Sequence, residues 1–176
     1  MYDEEEETDW AFARWLPHSW NEDKSIRFIC TNIKDVKEIS LSIEKLIIQR
    51  KTSNSHGKEK IIPHYIIFSM SKGLEIRAEF IKSILEENEN LGFSIVSLYD
   101  EIRSLPKECS TVIEVTDTVA QIYDKDDITG KYIEFNMEID RDSDYEKLAK
   151  ELSNINLNEE KNKNTLPEMI TFLEMF

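Results

Sequence analysis

Glycine is scarce in this chain, four among 176 residues. Phosphate-binding loops are built from glycine because the backbone must approach the anion closely. Neither G-x-x-x-x-G-K-[ST] nor G-x-G-x-x-G occurs. The nearest text, His56-Gly57-Lys58-Glu59, has no glycine five residues before Gly57 and carries Glu after the lysine. It also lies in a polar loop before a strand, not between a strand and a helix. Cysteine is almost as rare. Cys30 and Cys109 sit in or beside apolar runs, too few for a disulfide framework, and read as buried thiols in a reducing compartment. Positive charge is short as well: 22 Lys and Arg against 36 Asp and Glu, a net charge of −14. The basic residues are scattered, so no face is expected to bind nucleic acid. The longest stretch free of Asp, Glu, Lys and Arg is residues 61–71, eleven long, well short of the ~20 a membrane helix needs. The first seven residues have neither a basic nor an apolar region, so they do not read as a signal peptide.

What is present is globular composition, 40% apolar and 33% charged, at a length that fits one domain. Trp10, Trp15 and Trp20 crowd near the chain start with Phe12 among them. They pack either on a core or into a partner. Residues 26–31 (IRFICT) predict a strand. Asp35 with Glu38 resembles a capping box, and Val36, Ile39, Ile43, Leu46 and Ile47 recur at helical spacing to about Gln49. Residues 64–69 predict a second strand. Gly73 precedes a helix with the stripe Ile76, Phe80, Ile81, Ile84 and Leu85, which Gly92 is expected to close. Residues 93–98 and 111–115 predict two more strands, with a short helical turn and Pro106 between them. Residues 119–123 and 132–137 flank a turn with Gly130 and read as a hairpin. Asp142 or Ser143 caps a last helix, with Glu146 completing a box. Strand and helix alternate as in right-handed crossovers. The expected fold is therefore α/β: a three-layer, Rossmann-like or P-loop-NTPase-like, mostly parallel sheet with an antiparallel hairpin at one edge.

Chemistry-bearing patterns are few. His18, His56 and His64 lack metal-ligand spacing, no cysteine has a partner base at a motif spacing, and no serine stands in G-x-S-x-G. The apolar run 95–99 ends in Asp100-Glu101 like a Walker B strand. With no phosphate loop to serve, Asp100 reads first as a helix cap. Open parallel sheets bind ligands beyond the carboxyl ends of their strands. The best such loop is Ser69-Met70-Ser71-Lys72-Gly73, where amides and Lys72 would meet an anion. Simple capping by Ser71 is the competing reading. No cofactor and no metal is expected in this chain; Ser71, Lys72 and Asp100 are the candidates if an unorthodox nucleotide or anion site exists.

Several segments taken in order resemble one family. They are Trp15-Leu16-Pro17-His18 with Trp20, Ile26-Arg27-Phe28-Ile29, Pro63-His64-Tyr65-Ile66-Ile67, Leu91-Gly92-Phe93-Ser94-Ile95, Leu105-Pro106 with Thr111-Val112-Ile113-Glu114, and Thr171-Phe172-Leu173-Glu174-Met175. Together they resemble the membrane-bound FtsK/SpoIIIE-type ATPases of Gram-positive type VII (ESX-like, WXG100) protein secretion systems. The resemblance implies a degenerate ATPase-like module that precedes the Walker-containing domains, so no nucleotide-binding residue is carried over. It implies residues 1–157 as that module and 158–176 as linker and start of the connection to the next ATPase domain. The chain then reads as a piece of a longer protein, itself a non-enzyme, with ATP and Mg bound downstream. It would act at the cytoplasmic face of the cell membrane without touching the bilayer. Its partners would be adjacent ATPase domains of the same chain and other subunits of a secretion complex. Trp10, Trp15, Trp20, Phe172, Leu173 and Phe176 are the interaction candidates.

Overall fold

A computed structural model of the chain describes residues 1–3, 7–21, 23–54, 63–116, 119–127, 129–138 and 142–155. His56, Phe172, Leu173 and Phe176 lie outside the described residues.

A short helix α1 (Glu7–Trp10) runs into two 3-10 turns, Ala11–Trp15 and Pro17–Ser19. The long helix α2 spans Ile33–Asn54. Its cap is Asn32, whose side-chain oxygen accepts from the amides of Lys34 at 2.9 Å and Asp35 at 3.1 Å. Asp35 reaches back to the amide and hydroxyl of Thr31 instead of opening the helix itself. Val36, Ile39, Ile43 and Ile47 are buried as the helical spacing predicts, each contributing ~1.5–3 kcal/mol. The helix outruns its expected end at Gln49 because Arg50, buried below it, and the ion pair Lys51–Glu87 fasten its last turns.

Strand β1 (Tyr65–Ser69) pairs in parallel with β2 (Phe93–Ser97), Tyr65 opposite Phe93 and Ser69 opposite Ser97. Between them α3 (Lys72–Glu75) and α4 (Glu79–Leu85) form two pieces where one helix was expected. The break at residues 76–78 turns Ile76 out to 73% exposure. Leu74, Ala78, Phe80 and Ile81 then face the core beneath α2. Gly92 does adopt the left-handed backbone, φ 75°, but it turns the chain into β2 rather than closing a helix seven residues earlier.

The expected strand at 26–31 does not form. Apart from one bridge between Trp20 and Arg27, this segment makes isolated bonds, Phe28 N to Ser19 O and Tyr2 N to Cys30 O. The position beside β1 is taken by Met1, whose amino group donates to Phe68 O and whose carbonyl accepts from Met70 N.

The single, mostly parallel sheet is also corrected. Among the described strands only β1 and β2 are parallel. Strands β3 (Thr111–Val115), β4 (Ala120–Asp124) and β5 (Tyr132–Phe135) make a separate antiparallel meander. The hairpin thus extends β3 and not an edge of the parallel pair. The reason is chemical. Glu114 and Glu134 stand in mid-strand on one face, and Glu114 accepts from Gln121 at 2.7 Å. A central parallel strand is buried on both faces and would have no place for them. The last helix, α5 (Tyr145–Leu152), is capped by Asp144, which accepts from Lys147 N at 2.9 Å. Neither Asp142 nor Ser143 caps it, and Glu146 pairs with Lys150 instead.

Candidate functional site

Side chains of a strand alternate between faces. On the inner face of the β1–β2 pair the alternation places Tyr65, Ile67 and Ser69 beside Phe93, Ile95 and Ser97. The outer face carries Ile66 and Phe68 with Ser94 and Val96. The carboxyl ends of both strands therefore converge on two hydroxyls, Ser69 and Ser97. Only Met70 and Ser71 separate β1 from α3, and Ser71 Oγ accepts from Leu74 N at 3.3 Å. Ser71 is thus committed to capping.

The space beyond these hydroxyls is occupied by Glu75, 8% exposed, at the end of α3. Its Oε2 accepts from Ser97 Oγ at 3.0 Å and from Tyr99 OH at 2.5 Å. Tyr99 has one proton and spends it on Glu75, so Ser69 Oγ, 3.2 Å away, is the donor to Tyr99. Burial, reinforced by the bond to Glu75, holds the Tyr99 phenol well above its ordinary pKa. The arrangement is a closed relay of hydroxyls around a carboxylate. A phosphate approaching it meets negative charge in a poorly solvated place, where repulsion is weakly screened.

The other candidates stand apart from this centre. Lys72 and Asp100 are exposed. Glu101, not Asp100, precedes the 3-10 turn Ile102–Ser104, and its carboxylate grips Arg103 at 2.6 and 2.8 Å. That pairing, with Lys72 nearby, lowers the Glu101 pKa. The tryptophans are dispersed. Trp10 lies against Phe12 at 5.8 Å and Phe68 at 6.3 Å, Trp15 lies under the Lys150 ammonium at 5.0 Å, and Trp20 under the Arg27 guanidinium at 4.3 Å. Phe12 also meets Tyr145 at 5.7 Å, which ties the first turns to α5. An open groove of about 410 Å³ beside Trp20 mixes Arg14 and Arg27 with Asp35 and Glu38, so it offers no single sign of charge. Among the described residues no three His, Cys, Asp or Glu converge as metal ligands.

Two buried charges were missed by sequence reasoning, Glu75 and Arg50. Arg50 Nη1 donates to Leu91 O at 2.6 Å and Gly92 O at 3.2 Å, and Nη2 to Pro63 O at 2.5 Å. The guanidinium lies about 5 Å from both the Tyr65 and Phe93 rings. One signal was readable: each charge sits at helical spacing from apolar neighbours, Arg50 from Ile43 and Ile47, Glu75 from Ala78.

No family model matches the chain, and no solved structure matches it. The chain is similar to the type VII secretion system protein EssC of Staphylococcus aureus strain NCTC 8325, 30% identical over 182 residues that take in 99% of this chain. The same likeness holds for EssC of strain MW2. The ESX secretion system protein EccC of Geobacillus thermodenitrificans is 21% identical over 176 residues, again 99% of this chain. The chain spans 12% of the length of each of these relatives.

Proposed function

This chain is homologous along nearly its whole length to part of the type VII secretion proteins EssC and EccC, and we propose that it is a non-catalytic α/β module of a protein-export machine. In this reading residues 1–157 form a degenerate relative of an ATPase domain, and 158–176 begin the connection to the next domain. The module joins a membrane region to ATP-driven motor domains elsewhere in the longer protein, at the cytoplasmic face of the membrane. Its partners are those motor domains and neighbouring subunits. Among the described residues no helix is long and apolar enough to cross a membrane.

The observation that carries the reading is the occupant of the β1–α3 turn. A phosphate loop presents a ring of free backbone amides and a lysine. Here two residues make the turn, Ser71 consumes one of the amides, and the Glu75 carboxylate fills the space between the strand ends. The alternative, an anion or nucleotide site using Ser71, Lys72 and Asp100, has one residue committed to a cap and two that face solvent.

A segment exchange tests it. EssC carrying this chain in place of its own matching segment should restore export to cells that lack EssC. Deletion of the segment should abolish export, and Lys72→Ala and Asp100→Ala in the exchanged segment should not affect it. Loss of export in the lysine or aspartate variant at normal protein level would favour the ligand-site alternative.

A further inference from the structure

Among the described residues, α2, α3 and α4 pack on one face of the β1–β2 pair, and Trp10 at the end of α1 lies against Phe68 at the edge of the other. On the other, Ile66 is 58% exposed, Phe68 45%, Val96 40% and Leu98 45%. A two-stranded parallel sheet with a largely open apolar face is unusual, since parallel strands are covered on both sides. Four neighbouring apolar side chains at this exposure mark a surface with an occupant.

We infer that the occupant is the apolar segment Leu166–Phe176 of this same chain. Three observations favour it. The first is position. Trp10 lies against Phe68, Phe12 against Tyr145, and α5 packs on the 3-10 turn Ala11–Trp15. The last described helix is thus anchored at the border of the bare face, and the chain continues from there. The second is reach. Ten residues, 156–165, separate Ile155 from Leu166; extended, they span ~35 Å, against a radius of gyration of ~16 Å for a domain of this length. The third is pattern. Leu166, Met169, Ile170, Leu173 and Phe176 follow i, i+3, i+4, i+7, i+10, one apolar stripe. Seated on Ile66, Val96 and Leu98, this stripe supplies the layer that the parallel pair lacks. The exposed apolar face of the meander, with Ile113 and Ile133, is the competing surface.

The docking does not depend on a role in secretion. It also gives the connection to any following domain a fixed starting point.

Paramagnetic relaxation in the full chain tests the inference. A nitroxide is placed at Met175→Cys in a Cys109→Ser background, with Ile, Leu and Val methyls isotope-labelled. Cys30 stays, since its thiol is buried. The expected result is broadening concentrated on Ile66, Val96 and Leu98. It should be absent when nitroxide-bearing, unlabelled chains are mixed with labelled chains lacking the nitroxide. Adding Ile66→Asp, at a position 58% exposed, should abolish it while the methyl spectrum of the core stays that of the parent. Broadening centred on Ile113 and Ile133, spread evenly, seen only between chains, or unaffected by Ile66→Asp would overturn the inference.

Discussion

The hydroxyl of Tyr99 donates to Glu75 Oε2 at 2.5 Å, across the gap between the carboxyl ends of β1 and β2. Ser97 donates to the same oxygen and Ser69 to the tyrosine, so four side chains close the place where α/β folds commonly receive ligands. Removing the acceptor leaves two hydroxyls short of a partner in a buried setting. Glu75→Ala is expected to destabilise the chain by ~1–3 kcal/mol. Thermal unfolding of the two proteins side by side measures this. A melting temperature unchanged within error would mean that the relay is not a structural element.

The same pair sets an alkaline limit. The Tyr99 pKa is raised in the folded chain by burial first and by Glu75 second, relative to ~10 in an unfolded chain. The folded state therefore holds the phenolic proton more tightly. That contribution is complete below pH ~10 and is lost as pH rises above it. Melting temperature should fall more steeply above pH 10 for the parent than for Tyr99→Phe, which has no such proton to lose. Parallel slopes would contradict the assignment; Tyr2, raised by its own burial, contributes equally to both proteins.

Arg50 fastens α2 to the starts of both parallel strands through three carbonyls. Arg50→Ala leaves those carbonyls without their donor and empties the space over the stacked Tyr65 and Phe93 rings. A loss of ~3 kcal/mol is expected in denaturant unfolding. Arg50→Lys should recover less than half of it, because an ammonium lacks the planar fork that reaches three acceptors. Full recovery by lysine would show that charge alone matters there.

The two thiols should differ in reactivity. Cys30 is 2% exposed and its pKa is pushed up to about 11 by burial, while Cys109 is only partly buried and donates to Thr111 O at 3.1 Å. A thiol reagent at pH 8 should titrate one cysteine per native chain and two in denaturant. Two fast-reacting thiols in the native chain would contradict the buried position of Cys30.

Legibility in the sequence followed the physics of each element. Runs such as YIIFS and FSIVS name their strands because burial on the inner face demands apolar side chains at every second position. The β4–β5 hairpin was readable from Gly130 and the alternation on either side of it, but its union with β3 in a separate meander was not. Sheet membership was not readable. The run at 26–31 is as apolar as a strand, yet backbone pairing beside β1 went to Met1, while Tyr2 N bonds Cys30 O in that run, a competition between remote segments. Glu75 and Arg50 escaped because a charge is assigned to the surface by default, and only tertiary partners make its burial tolerable. The likeness to secretion proteins was legible from short ordered segments, while the polar relay that occupies the turn after β1 was not.

Titration of Mg-ATP into the isolated chain by isothermal calorimetry tests the central claim most directly. The account predicts no saturable heat at millimolar nucleotide, because Glu75 stands where a phosphate would and Ser71 is committed to α3. A micromolar dissociation constant that disappears in Lys72→Ala would contradict it and establish a working nucleotide site at the β1–α3 turn.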